Sequence, residues 1–218
     1  MLEDSEDPRP RRRAQVSALV AELATALRAG GIVCFPVAGT YRLVVDAHAE
    51  AAVMRLMQSK RRTSNHPALL LVPDLAGAGA VVDGTAWPTT QRLAERLWPG
   101  PLTLVLAPSE ALPPAVRRLL TRATGKLGVR APDDELARKV LAAFGGPLLL
   151  SSANFERKTG ASSAAAVRQR FVGKVDVWVD AGDPRPAKPS TLVAPTESSW
   201  QVLREGAVTR AEIEQALA

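Results

Sequence analysis

Cationic side chains recur in this chain where a ligand would meet them. Lys60-Arg61-Arg62 is a run of three, and Arg130 and Arg204 each follow a short apolar stretch, in Gly128-Val129-Arg130 and Leu203-Arg204-Glu205-Gly206. Converging Lys and Arg suit an anion that presents carboxylate and phosphate together, because a guanidinium offers a planar fork and an ammonium a compact point charge. Standing alone, the run at 60–62 reads equally well as a solvated surface patch. A second candidate is Leu148-Leu149-Leu150-Ser151-Ser152-Ala153-Asn154, where an apolar strand runs into small residues with hydroxyl and amide groups. Such a turn lets backbone and short side chains approach a ligand closely, or simply caps the next element. Ser190-Thr191, after the proline-rich residues 183–189, offers hydroxyls that either bind phosphate or begin a strand.

Other chemistries find less support. No Gly-x-Ser-x-Gly elbow surrounds Ser151 or Ser152, and His48 and His66 are the only histidines, which argues against a serine hydrolase. The sequence contains neither a Gly-x-x-x-x-Gly-Lys-Ser/Thr loop nor Gly-x-Gly-x-x-Gly, so a nucleotide must be held in another way. Cys34, the single cysteine, has no internal disulfide partner and reads as a core residue of its strand. Two histidines and one cysteine are too few for a structural zinc site. Asp46, Asp133 and Asp134 are better placed as turn and helix caps than as magnesium ligands, and no residue is nominated for metal.

Positioning these residues requires a folded scaffold, and the 218-residue chain has the composition for one, with 46% hydrophobic and 23% charged residues. Lys and Arg number 28 against 22 Asp and Glu, a formal net charge of +6 that favours polyanions such as nucleotides or RNA. No long apolar run or basic leader is present, so the expectation is a cytoplasmic protein with no membrane partner. Residues 1–13, rich in acids, prolines and arginines, read as a disordered tail, and 14–218 as one domain. Val16, Leu19, Val20, Leu23 and Leu27 mark an amphipathic helix that stops at Gly30-Gly31. Strands are expected at 32–35, 68–72, 102–106, 127–130, 147–151, 175–179, 191–193 and 201–203, and helices at 49–60, 89–97 and 133–144. Pro36 is expected to close the first strand, leaving 37–41 as a loop. Thr209 with Glu212 is a capping box for a last helix. Apolar strands alternating with helices predict an α/β fold, a single twisted, mixed, largely parallel sheet flanked by helices. In such a fold the cationic and hydroxyl-bearing residues lie at strand ends, where sites collect.

Taken together, these segments resemble the Sua5/YciO/YrdC family, whose best-known members are threonylcarbamoyl-AMP synthases. The resemblance runs from about Gly30 to Gly206 and rests on Lys60-x-Arg62, Trp98-Pro99-Gly100-Pro101-Leu102-Thr103, Gly128-Val129-Arg130-x-Pro132, Ser152-Ala153-Asn154, Ser190-Thr191 and Arg204-Glu205-Gly206. It implies a YrdC-like fold and an enzyme that forms threonylcarbamoyl-AMP from L-threonine, bicarbonate or CO2 and ATP, with magnesium (Mg2+) accompanying the ATP. It nominates Lys60, Arg62, Ser152 and Asn154 as catalytic residues that also bind nucleotide. Arg130, Ser190 and Arg204 are implied near phosphates and ribose, and Tyr41, with Arg62 and Ser152, near the amino acid. It further implies tRNA, modified at adenosine 37, and tRNA-modification proteins as partners, with double-stranded RNA as a related possibility. One segment departs from the pattern. Where the family carries Pro-Thr-Asp/Glu-Thr-x-Tyr-Gly-Leu, this chain has Pro36-Val37-Ala38-Gly39-Thr40-Tyr41-Arg42-Leu43, which removes two hydroxyls and a carboxylate and replaces glycine by Arg42. The alternatives are therefore a paralogue with another acceptor, or a non-catalytic RNA-binding module of the same fold.

Overall fold

A computed structural model describes residues 8–60, 67–153, 163–185 and 187–218, and the side chains of residues 8–12 and 60 are not described. The chain opens with helix α1 (Pro8–Arg28) and strands β1 (Val33–Val37) and β2 (Thr40–Asp46). Helix α2 (Glu50–Lys60), strand β3 (Ala68–Leu71) and helices α3 (Leu75–Ala78) and α4 (Pro88–Leu97) follow. Next come β4 (Leu102–Leu106), α5 (Pro114–Thr121), β5 (Leu127–Arg130), α6 (Glu135–Phe144) and β6 (Leu148–Ser152). The chain ends with α7 (Ala164–Arg170), β7 (Val177–Trp178), β8 (Thr191–Pro195), β9 (Trp200–Arg204) and α8 (Arg210–Leu217). Helical backbone thus reaches back into the segment expected to be a tail. Pro8 and Pro10 fall in the first turn of α1, where the missing N–H groups have no intrahelical partner to lose.

All strands join one nine-stranded sheet in the order β7-β1-β2-β6-β3-β5-β4-β8-β9. The sheet is mixed and flanked by helices, as expected, but it is not largely parallel. Only β1–β7, β3–β5 and β4–β8 pair in parallel, and the other five neighbouring pairs are antiparallel. One of those antiparallel pairs is the hairpin of β1 and β2, where the sequence suggested a loop. Val37 pairs with Thr40 across a two-residue turn of Ala38 (φ 49°) and Gly39 (φ 74°), the positive-φ pair that matches strand twist. A Cβ at Gly39 would lie 2.3 Å from the Arg185 carbonyl oxygen, so the turn also requires glycine for close packing. Pro36 is tolerated inside β1 because β7 pairs only with Val33 and Cys34, leaving that side of Pro36 without a neighbouring strand among the described residues.

The two faces of the sheet are covered unequally. One face packs Leu43, Leu70, Leu104, Val129, Leu149 and Val193 against α2, α4, α5, α7 and α8 through Val53, Leu56, Leu93, Val116, Val167 and Ile213. On the other face, Val20, Leu23 and Leu27 of α1 and Val140 and Leu141 of α6 cover Val33, Phe35, Val44, Leu71, Leu148 and Leu150. Those contacts stop near the middle of the sheet. Beyond it, Val105, Leu192 and Ala194 of β4 and β8 form a separate small cluster with no helical member among the described residues. Cys34 is fully buried in the first core, and burial pushes its thiol up to about 12, which keeps it protonated and unreactive.

Candidate functional site

Strand pairing brings the candidate residues onto the second face, because directly paired residues point to the same side of a sheet and the side alternates along each strand. Arg42 of β2 pairs with Ser152 of β6. Two residues earlier on β6, Leu150 pairs with Leu69, which in turn pairs with Gly128 of β5, and Gly128 pairs with Val105 of β4. Arg130 lies two residues beyond Gly128, and Thr103 two before Val105. Thr103 pairs with Leu192, and Leu192 with Arg204. Arg42, Ser152, Arg130, Thr103 and Arg204 therefore share one face, most of it outside the cover of α1 and α6.

Arg204 reaches this face through a β-bulge. Leu192 pairs with Arg204 while the next residue, Val193, pairs with Val202, so Leu203 is the extra residue. Val202 packs toward the first core and Leu203 is exposed. With the same residues paired regularly and no bulge, Arg204 would keep step with Val202 on the helix-covered side. The Arg204 Nη2 donates to the Ser190 carbonyl oxygen at 2.7 Å, and the Thr103 hydroxyl donates to the Ser190 Oγ at 2.9 Å. Gly206 makes this arrangement possible, since a Cβ there would lie 2.2 Å from the Pro189 carbonyl oxygen and 2.8 Å from the Ser190 carbonyl carbon. The Arg204-Glu205-Gly206 and Ser190-Thr191 segments thus act as one structural unit.

Arg130 is 5% exposed and fixed by the turn before β4. Its Nε donates to the Gly100 carbonyl oxygen at 2.7 Å, and its Nη2 pairs with Asp133 Oδ1 at 2.7 Å. The Gly100 N–H bonds the Ala131 carbonyl at 3.0 Å, the Trp98 indole N–H bonds the Leu102 carbonyl at 2.8 Å, and the Trp98-Pro99 peptide is cis. Residues 98–101 therefore clamp the guanidinium of Arg130 in place. Asp134 caps α6 through the Ala137 N–H, and Asp46 accepts from the His48 N–H, so both serve the cap and turn roles expected from sequence.

Arg42 has the least ordinary environment. Its Nε is buried and has no hydrogen-bond partner among the described residues. Burial, followed by the positive charges of Arg130 and Arg204, pushes its pKa from 12.5 down to about 10. Burial also lowers that of Arg204. In sheet order, β2 and β9 stand six steps apart. At about 4.8 Å per step a flat sheet would separate them by roughly 29 Å, several times the distance of about 10 Å over which salt screens charge. The influence of Arg204 on Arg42 therefore places both on the inside of a curled sheet. Three guanidiniums face one concavity, and Asp133 is the carboxylate paired with one of them.

Of the nominated residues, the structure brings together Arg130, Ser152, Ser190 and Arg204. Tyr41 lies on the opposite face, where it is buried; its hydroxyl donates to the Gly182 carbonyl at 2.9 Å and accepts from the Ala181 N–H at 3.1 Å. Ser151 is also buried on that side. The Lys60 side chain, Arg62 and Asn154 lie outside the described residues. Arg42, Thr103 and Asp133 were not nominated. The signal for Arg42 was a lone charge leading into the apolar run Leu43-Val44-Val45. Among the described residues, no group of three or more His, Cys, Asp or Glu gathers to hold a metal ion, and no helix is long and apolar enough to cross a membrane.

Comparisons with known proteins converge. The family model Sua5_yciO_yrdC, described as "Telomere recombination", matches residues 25–206. The threonylcarbamoyl-AMP synthase of Pyrococcus abyssi is 32% identical over 191 residues, covering 88% of this chain and 55% of that protein. A putative threonylcarbamoyl-AMP synthase of Mycobacterium leprae is 30% identical over 217 residues, covering 98% of this chain and 92% of its own length. Among solved structures, P. abyssi Sua5 complexed with L-threonine superposes with a TM-score of 0.78 at 32% identity, over 90% of this chain and 56% of that one. YciO of E. coli shares the fold, with a TM-score of 0.73 at 24% identity over 90% and 93% of the two chains. The chain thus spans about half the length of the Pyrococcus relative.

Proposed function

The chain belongs to the Sua5/YciO/YrdC family, and on that premise we propose that it is a nucleotide-dependent enzyme that adenylates an amino-acid carbamate. An amino acid and bicarbonate or CO2 give the N-carboxy amino acid. Its carbamate oxygen attacks the α-phosphorus of ATP, the bond from that phosphorus to the β-phosphate oxygen breaks, and pyrophosphate leaves. In the threonylcarbamoyl-AMP synthases to which the chain is similar, the amino acid is threonine. Such a reaction needs little covalent chemistry from the protein and depends on positioning and fixed charge.

The observation that carries this reading is the placement of Arg130, Arg204, Ser190 and Ser152 on one concave face. Arg130 and Arg204, with Ser190, hold the phosphates and ribose. Lys60 and Arg62 neutralise carboxylate and phosphate, and Ser152 with Asn154 orients the reacting groups. Magnesium enters as the companion of ATP and lowers the charge of its phosphates. The product then serves tRNA modification at adenosine 37 through partner proteins.

The test is formation of an AMP adduct and pyrophosphate by the purified protein from ATP and bicarbonate, across a panel of amino acids. Adduct formation that requires an amino acid supports the reading. No adduct with any amino acid, together with RNA binding that weakens steeply with salt, would replace it by an RNA-binding module. The hairpin turn at Ala38-Gly39 and the presence of Arg42 favour an acceptor other than threonine within the same chemistry.

A further inference from the structure

We propose that Arg42 determines acceptor specificity by binding a second carboxylate, so that the amino acid taken by this site is an acidic one, of the aspartate and glutamate class. The inference rests on the nucleotide-dependent reading above and specifies its acceptor. A guanidinium in a strand interior is ordinarily held by a carboxylate or by carbonyl oxygens. Among the described residues, the Nε of Arg42 is buried without such a partner and none of the ion pairs includes it. Arg130, by contrast, has its carbonyl and its carboxylate. Arg42 also lies within the field of Arg130 and Arg204, so the ligand-free site keeps like charges together and an incoming anion relieves them.

Position distinguishes which reactant brings that anion. Arg204 and Ser190 are joined at the β8–β9 end of the concavity, whereas Arg42 stands on β2 beside Ser152 of β6. With the nucleotide phosphates at Arg130 and Arg204, the group that meets Arg42 belongs to the acceptor. The hairpin that carries Arg42 offers a neutral hydroxyl side chain little to bind. Residues 37–39 are Val, Ala and Gly, and the Thr40 hydroxyl already donates to the Val37 carbonyl. The side chain this hairpin adds to the site is therefore a cation with a planar fork, whose best partner is a carboxylate.

Calorimetry with the full chain tests this, titrating L-aspartate, L-glutamate and L-threonine in the presence of a non-hydrolysable ATP analogue. The wild-type protein should bind one of the two acidic amino acids at least tenfold more tightly than threonine. Arg42→Gln should abolish that preference while changing the affinity for the ATP analogue by less than about twofold, and Arg42→Lys should keep part of it. Thermal melting establishes that both variants fold. Threonine binding more tightly than both acidic amino acids would overturn the proposal. So would an Arg42→Gln variant with unchanged amino-acid affinities, or one that loses ATP-analogue affinity by the same factor, which would assign Arg42 to phosphate. If the wild-type protein binds no ATP analogue, the nucleotide-dependent reading itself fails and takes this inference with it.

Discussion

Replacing Arg42 by methionine should make the ligand-free protein more stable. Methionine keeps most of the aliphatic stem and removes a charge that burial and two neighbouring arginines oppose. With the guanidinium pKa near 10 against 12.5, the gap of about 2.5 pH units corresponds to roughly 3 kcal/mol at about 1.4 kcal/mol per unit. Arg42 is only partly buried, and solvent screens part of that cost, so about 1–2 kcal/mol should be recovered. For a chain of this size each kcal/mol raises the melting temperature by about 2–4 °C. Urea unfolding at pH 7 without ligand, at low and high salt, measures the effect, and high salt should shrink it. The dependence on pH has a definite sign. Below about pH 10 the guanidinium is charged in both folded and unfolded chains and the full penalty is present. Between about 10 and 12.5 the folded chain releases its proton first, the unfolded chain binds more protons, and the wild type gains on the variant as pH rises. A variant less stable than the wild type at pH 7, or an advantage that grows with salt, would refute the picture of three mutually opposed cations.

Further outcomes follow from the same geometry. Gly206→Ala places a carbon against the backbone of Pro189 and Ser190, which cannot swing aside; it should cost about 1–3 kcal/mol in urea unfolding and weaken ATP-analogue binding, and a neutral result would mean that the two segments are not coupled. Tyr41→Phe leaves the Gly182 carbonyl and the Ala181 N–H without their hydroxyl partner, for a loss of about 1–3 kcal/mol, while amino-acid affinity measured by calorimetry should stay unchanged; a selective loss of that affinity would put Tyr41 back in the site. Asp133→Asn removes the carboxylate that shares Arg130, so stability should fall by about 1–2 kcal/mol and ATP-analogue affinity should rise as the cation is freed for phosphate; weaker binding would contradict that role.

Much of the fold could be read from the order of residues because apolar periodicity is local. The stripe of α1, the buried strands β3 to β6 and the Thr209–Glu212 capping box follow from spacing alone. What escaped depends on partners distant in sequence. Pro36 ends a strand only where a neighbour needs its N–H, and at this position β7 has already ended. Strand β2 was hidden for a related reason, since Arg42 interrupts its apolar run and makes sense only beside Ser152. The same division holds for the site. Arg130, Ser190 and Arg204 were visible as polar groups at strand ends, but their sharing of a face with Arg42 depends on pairings that link residues 42, 130 and 204. The attachment of Arg130 to Gly100 explains why the turn at 98–101 accompanies the Gly128-Val129-Arg130 segment, a relation that neither motif reveals alone.

The irregular pairing at Leu203 also makes the chemistry of this edge depend on how β9 pairs with β8. Deleting that single leucine would restore simple alternation and leave the following arginine opposite Leu192 on the concave face. Pairing every residue of β9 without the bulge would instead turn the guanidinium into the hydrocarbon beneath the sheet and empty its corner of the concavity, although every functional side chain would still be encoded. Loss of the bulge at unchanged length is thus equivalent to loss of the arginine itself. A relative can keep the Arg-Glu-Gly triplet letter for letter and still lack the cation where a phosphate would need it.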